Sequence, residues 1–217
     1  MKEQVMQKGT LRRFLVMCFG ILIMGLGVCL FKISLMGNDP STALAIAVAD
    51  RIGLDFSILV IVINTLYFIA EIFLGRKYIG AGTFVNWFFV GPLASFYEKL
   101  LRGVWNVPEG FVPRLVIMVA GVLILSLSAS LYQTADLGIA PYDSLSIIMR
   151  DRLPLPYFWC RIITDATCAA VCWLLGGIVG LGTLVCALGL GPFIHFFNKH
   201  ISEKLCGYPE KGEKTPV

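Results

Sequence analysis

Apolar residues run almost unbroken through this chain in stretches of about 20 residues, each long enough to cross a bilayer core of about 30 Å. Two stretches interrupt the pattern in the same way. Residues 131–152 read LYQTADLGIAPYDSLSIIMRDR, and residues 30–51, 101 positions earlier, read LFKISLMGNDPSTALAIAVADR. Each has Leu at its start, Gly seven on, Pro ten on and Asp-Arg at its end. In both, a long apolar run stops, Gly and Pro break the chain, and a segment too short to span restarts behind the proline.

Reading outward from the breaks predicts helices at 11–35, 56–74, 80–101, 112–135, 157–175 and 180–197, with short helical segments at 41–53 and 141–153. The chain reads as one membrane domain over 1–217: a first repeat at 11–101, a linker at 102–113, a second repeat at 114–200 and a tail at 201–217. From Lys199 onward the charged, Pro/Gly-rich composition predicts disorder. The repeats hold one register over their whole length. Leu44, Ile46, Asp50, Arg51, Leu54 and Ile61 meet Leu145, Ile147, Asp151, Arg152, Leu155 and Ile162, and Asn64 meets Asp165. After a one-residue gap, Gly80, Gly82, Thr83, Gly91, Pro92, Phe96 and Lys99 meet Gly180, Gly182, Thr183, Gly191, Pro192, Phe196 and Lys199. Such self-similarity marks a duplication.

If the short segments do not cross, each repeat has three spans, and an odd number sets the repeats in opposite orientations. The expected fold is therefore all-α and polytopic: six transmembrane helices plus two short broken or re-entrant helices in a two-fold inverted repeat. Positive charge orients it. With the N-terminus inside, the inner side receives Lys2, Lys8, Arg12, Arg13, Arg76, Lys77, Arg150, Arg152 and the basic tail, against Arg51, Lys99, Arg102 and Arg114 outside. Both termini are expected in the cytoplasm. Whether the short segments span, re-enter or lie at the interface stays open.

Composition agrees. Of 217 residues 57% are hydrophobic and 15% charged, with mean hydropathy +0.80, where soluble domains carry about 25% charge. Few segments alternate with period two, which disfavours a barrel. The net charge of +4 lies mostly in termini and short loops, so it bears on orientation and not on nucleic acid. The first apolar run is too long for a leader and no small-x-small cleavage pattern follows it; it reads as a retained helix. The seven cysteines lie almost wholly inside apolar runs without a C-x-x-C and read as packing residues. His195 and His200 have no partner at metal spacing, so neither a metal nor a cofactor is expected. Trp87, Trp105, Tyr97 and Tyr208 read as an interfacial belt.

The chemistry sits at the breaks. A helix restarted inside a membrane exposes unpaired N–H groups and a positive dipole end that hold an anion or a polar group, and matched Gly/Pro interruptions in inverted repeats point to a midplane site. The restarts fall at Pro40 and Pro141, since proline suits the first helical turn. Thr42 follows one; Tyr142 and Asp143 follow the other. Asp143 either caps its own helix or walls a site. Asp165, mid-helix, costs about 2.5–3.5 kcal/mol on insertion scales when ionised. Arg161, four residues earlier, offers a structural ion pair; a proton-coupling role is the competing reading. Its repeat partner Asn64 has Val60 in place of the arginine. Gln133 and Asp136 share a face beside the break. Lys32, matched to Gln133, either lines the midplane cavity or, as expected, snorkels, and Asp136 either lines it or sits in wet headgroups; Glu71, near Arg76, has the same two readings, and Asn86 reads as interhelical glue.

The Gly-rich first helix, the degenerate MGNDPSTAL copy and the element formed by Ala135, Leu137, Gly138, Pro141, Tyr142, Asp143 and Leu145 resemble the YczE/YitT group of bacterial integral membrane proteins. The resemblance extends over most of the chain through the six-helix pattern. Tyr142 stands where those proteins often have Trp, and the fuller copy lies in the second half. The resemblance implies the bacterial cytoplasmic membrane and adds little on activity.

The sequence thus predicts a transporter of a small polar or charged solute. Its site comprises Pro141, Tyr142, Asp143, Asp165, Gln133, Asn64, Pro40 and Thr42, with Asp165 as the proton-coupling candidate. No hydrolase motif makes an enzyme plausible. The alternative is a non-transporting accessory protein. Expected partners are the lipid bilayer and a solute, with a homodimer or a second membrane protein left open.

Overall fold

The computed structural model describes residues 2–104 and 109–207; Trp105, Tyr208, the centre of the linker and the tail beyond 207 lie outside them. The elements in order are α1 (Lys2–Ser34), α2 (Pro40–Ile52), α3 (Phe56–Leu74), α4 (Ala81–Val104), α5 (Phe111–Thr134), α6 (Pro141–Arg152), α7 (Tyr157–Leu174), α8 (Leu181–Phe197), a π turn at Asn198–Ser202 and α9 (Glu203–Cys206). The described residues contain no strand. Four helical stretches, Gly9–Ser34, Phe56–Leu74, Phe111–Thr134 and Leu181–Cys206, are long and apolar enough to cross a membrane. This is an all-helical membrane protein.

Both breaks form where the sequence places them, by the same backbone device. Leu35 and Asp136 take the left-handed conformation at φ 55° and 54°, and Gly37 and Gly138 follow at φ 98° and 112°. These positive-φ positions, two residues apart, reverse the chain, and glycine carries the more extreme value at no steric cost. Asn38 Nδ2 then donates to the carbonyl of Val28 at 3.4 Å, so the chain has turned back along α1 before Pro40 opens α2. Pro40 and Pro141 occupy the first turn of their helices.

Packing exchanges elements between the halves. Antiparallel α1 and α5 form the centre: Gly20 sits against Ser128 and Leu131, Gly27 against Leu125, and Gly121 against Phe31. Small residues let the backbones approach, the usual source of helix association in lipid. Helix α4 runs parallel to α1, with Gly82 beside Met17 and Leu93 beside Gly25. Each break docks on the start of a helix from the other half. Gly82 N donates to Leu137 O at 2.8 Å, and Gly182 N donates to Met36 O at 2.8 Å. In the same way α2 packs on α7 and α6 on α3. Reciprocity of this kind is the mark of a two-fold arrangement.

Residues 199–207, for which composition suggested disorder, are ordered; the rest of the tail lies outside the described residues. Beyond α8 the chain continues through the π turn into α9. Asn198 Oδ1 accepts from Ser130 Oγ at 2.6 Å and from Thr134 Oγ1 at 3.1 Å. Cys206 is buried, and Arg12 Nη2 donates to Lys204 O at 2.7 Å. Tertiary hydrogen bonds override a polar composition here.

The end of α6 is fastened to the turn after α3. Asp151 meets Lys77 Nζ at 2.5 Å and Arg150 Nη2 at 2.9 Å, accepts from the Tyr78 hydroxyl, and Arg152 Nη2 donates to Leu74 O at 3.1 Å. Hydrogen bonds from Lys77, then Tyr78 and Arg150, hold the Asp151 carboxyl well below its ordinary range. A depressed folded-state value stabilises above the unfolded pKa of about 3.9. The melting-point deficit of Asp151→Asn should therefore be full at neutral pH and shrink as pH falls below about 4.

A methyl group added at Gly82 or Gly182 would meet the carbonyl oxygen of Gly138 or Gly37 at 2.8 Å, whereas Gly191 has nothing within 4 Å. Gly82→Ala and Gly182→Ala should each lose about 1–3 kcal/mol in thermal unfolding. Gly191→Ala should change little.

Candidate functional site

The first turns of α2 and α6 open onto one cavity of about 520 Å³. Asp39 and Thr42 reach it from the first half, Tyr142 and Asp143 from the second. Asn64 on α3, Asn86 on α4, Gln133 on α5, Arg161 on α7 and His195 on α8 add further polar groups, together with Ser41, Tyr157 and Asn198. Met24, Val28 and Leu125 supply apolar surface. A pocket of this size, mostly apolar with a few convergent polar groups, is the usual form of a small-molecule site.

Arg161 organises the charge. Its Nη1 lies 2.5 Å from Asp143 Oδ1. Its Nε lies 3.2 Å from Asp165 Oδ1 and donates to Oδ2 at 3.3 Å. The guanidinium carbon stands 5.0 Å from the centre of the Tyr142 ring. The Tyr142 hydroxyl donates to Asp165, and the Tyr132 hydroxyl donates to Asp143. Gln133 Nε2 reaches that same Tyr132 hydroxyl at 3.3 Å. Two carboxylates from different helices thus share one guanidinium, each with a tyrosine as second donor. Such satisfaction is what keeps buried charge tolerable in low dielectric.

The two half-helix starts differ. Asp39 caps α2, its Oδ1 accepting from Thr42 N at 3.1 Å. Asp143 does not cap α6, whose start has no side-chain cap; its carboxylate is spent on Arg161 and Tyr132. The self-capping reading of Asp143 is therefore set aside by its partners.

Of the sequence-predicted residues, Thr42, Asn64, Gln133, Tyr142 and Asp143 line the cavity. Pro40 and Pro141 are buried in the helix starts behind it. Asp165, 1% exposed, is not in the wall: Tyr142 and Arg161 stand between it and the cavity. Asp136 is exposed at the left-handed turn, away from the cavity. Lys32 pairs with Glu98 at 2.5 Å and lies 4.4 Å from the Phe56 ring centre. Glu71 is fully buried without a hydrogen-bond partner, and Arg76 Nε donates instead to Ile72 O. Asn86 is buried and also lines the cavity. Sequence reasoning passed over Asp39, Tyr132 and Asn198, and took Arg161 only as a neighbour of Asp165. Asp39 carried a signal, an acid placed directly before the proline that opens a helix; Tyr132 and Asn198 carried none.

One side of the cavity is shut and the other is not. Between α3 and α4, Ser57 Oγ bonds Ser95 Oγ at 2.6 Å, and a methyl group at Gly91 would meet Val60 at 3.1 Å. The matched positions between α7 and α8 are Phe158, His195, Gly191 and Arg161. There Gly191 faces open space, and Phe158, Gly191, Pro192 and His195 all line the cavity while exposed.

This chain belongs to DUF6198, a family of unknown function, which it matches over residues 11–199. It is similar to an uncharacterized protein of Haemophilus influenzae, 26% identical over 84% of this chain and 81% of that one. It is also similar to two Bacillus subtilis proteins. The uncharacterized membrane protein YczE is 23% identical over 82% of this chain and 81% of its own, and the uncharacterized protein YyaS is 26% identical over 82% and 88%. No solved structure matches. The resemblance read from the 135–145 element is thereby established as kinship with YczE-like membrane proteins.

Removing Arg161 alone strands two carboxylates. Arg161→Ala should cost about 3–5 kcal/mol in unfolding measurements. The triple change Arg161→Val, Asp165→Asn, Asp143→Thr installs what the first half carries at Val60, Asn64 and Thr42, and should recover most of that loss.

Proposed function

We propose that this DUF6198 member carries a small polar or charged solute across the bacterial cytoplasmic membrane by alternating access. The reading takes α1, α3, α4, α5, α7 and α8 as six spans, with α2 and α6 as half-helices of an inverted repeat. It rests on one observation: two half-helix starts from opposite halves face a single cavity that is shut between α3 and α4 and open between α7 and α8. In an inverted repeat these gates lie toward opposite membrane faces. Exchanging their conformations moves the opening from one face to the other while the site stays in place.

Charge supports an orientation with both termini in the cytoplasm. Lys77, Arg150 and Arg152 cluster at one end of the bundle with Asp151 and Leu74, whereas Lys32, Glu98 and Arg102 are joined at the far end of α1 and α4. On this reading the open gate faces inward. Asp165 is the coupling residue: a proton on it would release Arg161 from one of its two partners and leave the guanidinium to Asp143.

The test needs no knowledge of the solute. In a chain whose native cysteines are replaced, Thr42→Cys is exposed to a membrane-impermeant thiol reagent in right-side-out and inside-out vesicles. Alternating access predicts labelling from both faces. A Ser57→Cys/Ser95→Cys disulfide should abolish labelling from the outer face alone. Labelling from one face only, unaffected by the cross-link, would sink transport and favour the accessory-protein reading.

A further inference from the structure

Resting on the transport reading, the charge balance inside the cavity assigns the class of solute. We infer that it is a small organic monocation, an amine or quaternary ammonium, recognised by Asp39.

The walls and their bonded neighbours hold three carboxylates, Asp39, Asp143 and Asp165, one guanidinium, Arg161, and one imidazole, His195, which counts as neutral at pH 7. Arg161 is committed to the two carboxylates of its own half through Nη1 and Nε. Asp39, from the other half, has no cationic side chain bonded to it; its carboxylate is held by Thr42 alone, through the cap from Thr42 N and the Thr42 side chain. Helix dipoles do not close the gap. Each half-helix start supplies roughly half a positive charge. The two together with Arg161 therefore fall short of the three carboxylates by about one unit. An uncompensated charge at membrane depth is costly, and a solute carrying one positive charge removes it.

The rest of the wall says what kind of cation. The volume of about 520 Å³ is of the size that holds organic ligands and is far larger than a bare alkali ion requires. The apolar side chains of Met24, Val28 and Leu125 face a solute with a hydrocarbon body. Tyr142, Tyr157 and Phe158 also line the space, and aromatic faces attract ammonium groups. The amide oxygens of Asn64 and Gln133 are acceptors for an ammonium N–H. Asp39 is thus a specificity-determining residue distinct from Asp165, whose carboxylate is spent on Tyr142 and Arg161.

The full-length protein in detergent, at fixed ionic strength, is titrated with choline, tetraethylammonium and butylammonium. The neutral isostere 3,3-dimethylbutan-1-ol and the anion butanesulfonate run beside them, with melting temperature and calorimetry as readouts. At least one cation should raise the melting temperature while the isostere and the anion do not. Asp39→Asn should weaken that cation's affinity at least tenfold and leave the unliganded melting temperature at or above wild type, because asparagine caps a helix as well as aspartate and removes the uncompensated charge. Asp39→Ser, also a good cap, serves if the asparagine variant fails to fold. Equal response to cation and isostere, a cation response unchanged in both variants, or no response to any compound overturns the assignment. So does a rise in stability with falling pH and no cation response, since a proton then supplies the missing charge. Two-sided thiol labelling together with an anion-only response would leave transport standing and remove the cation. One-sided labelling with tight cation binding would do the reverse.

Discussion

Backbone that leaves helical geometry inside a protein must find partners for its carbonyls and amides, and this constraint governs the architecture. Residues 35–39 and 135–140 are such stretches. Each break is covered by the glycine-rich start of a helix from the other half. The Leu137 carbonyl receives the Gly82 N–H and the Met36 carbonyl receives the Gly182 N–H, both at 2.8 Å. Each half thus supplies the donor that covers the other's break.

From that mutual cover the cavity follows. Because the breaks turn the chain back into the protein, the starts of α2 and α6 are delivered to its interior. There the halves diverge in chemistry while agreeing in geometry. The first half presents Thr42, Val60 and Asn64; the second presents Asp143, Arg161 and Asp165 at the same places. Charge is built on one side of a near-symmetric frame, and Asp39 stands apart on the other. The same divergence sets the gates. Val60 and Ser57 allow α3 to close on Gly91, whereas the bulk of Arg161 and Phe158 accompanies an open seam at Gly191. Identical glycines meet different surroundings because the residues opposite them changed.

The family relationship is consistent with this picture and adds no chemistry to it, since the similar proteins in Haemophilus influenzae and Bacillus subtilis carry no described activity. Function must be argued from the site, whose distinguishing features are its charge and the difference between its closed α3–α4 side and its open α7–α8 side.

What the sequence determined by itself was everything that depends on local chemistry and period. The apolar runs set the helices, Gly37, Gly138, Pro40 and Pro141 set the breaks, and the register of the two halves located Thr42, Asn64, Gln133, Tyr142 and Asp143 at one cavity. Tertiary structure decided the partners. Asp143 had to meet Arg161 and Tyr132 before its capping role could be dismissed. Lys32 had to meet Glu98 before its partner was known, and the segment up to residue 207 is held where Asn198 reaches Ser130 and Thr134. Asp165 reads from sequence as a site residue, yet the fold sets it behind Tyr142 and Arg161. Periodicity fixes which face of a helix is apolar, but a polar side chain's role depends on the groups that another helix brings within 3 Å, and no local pattern encodes that distance.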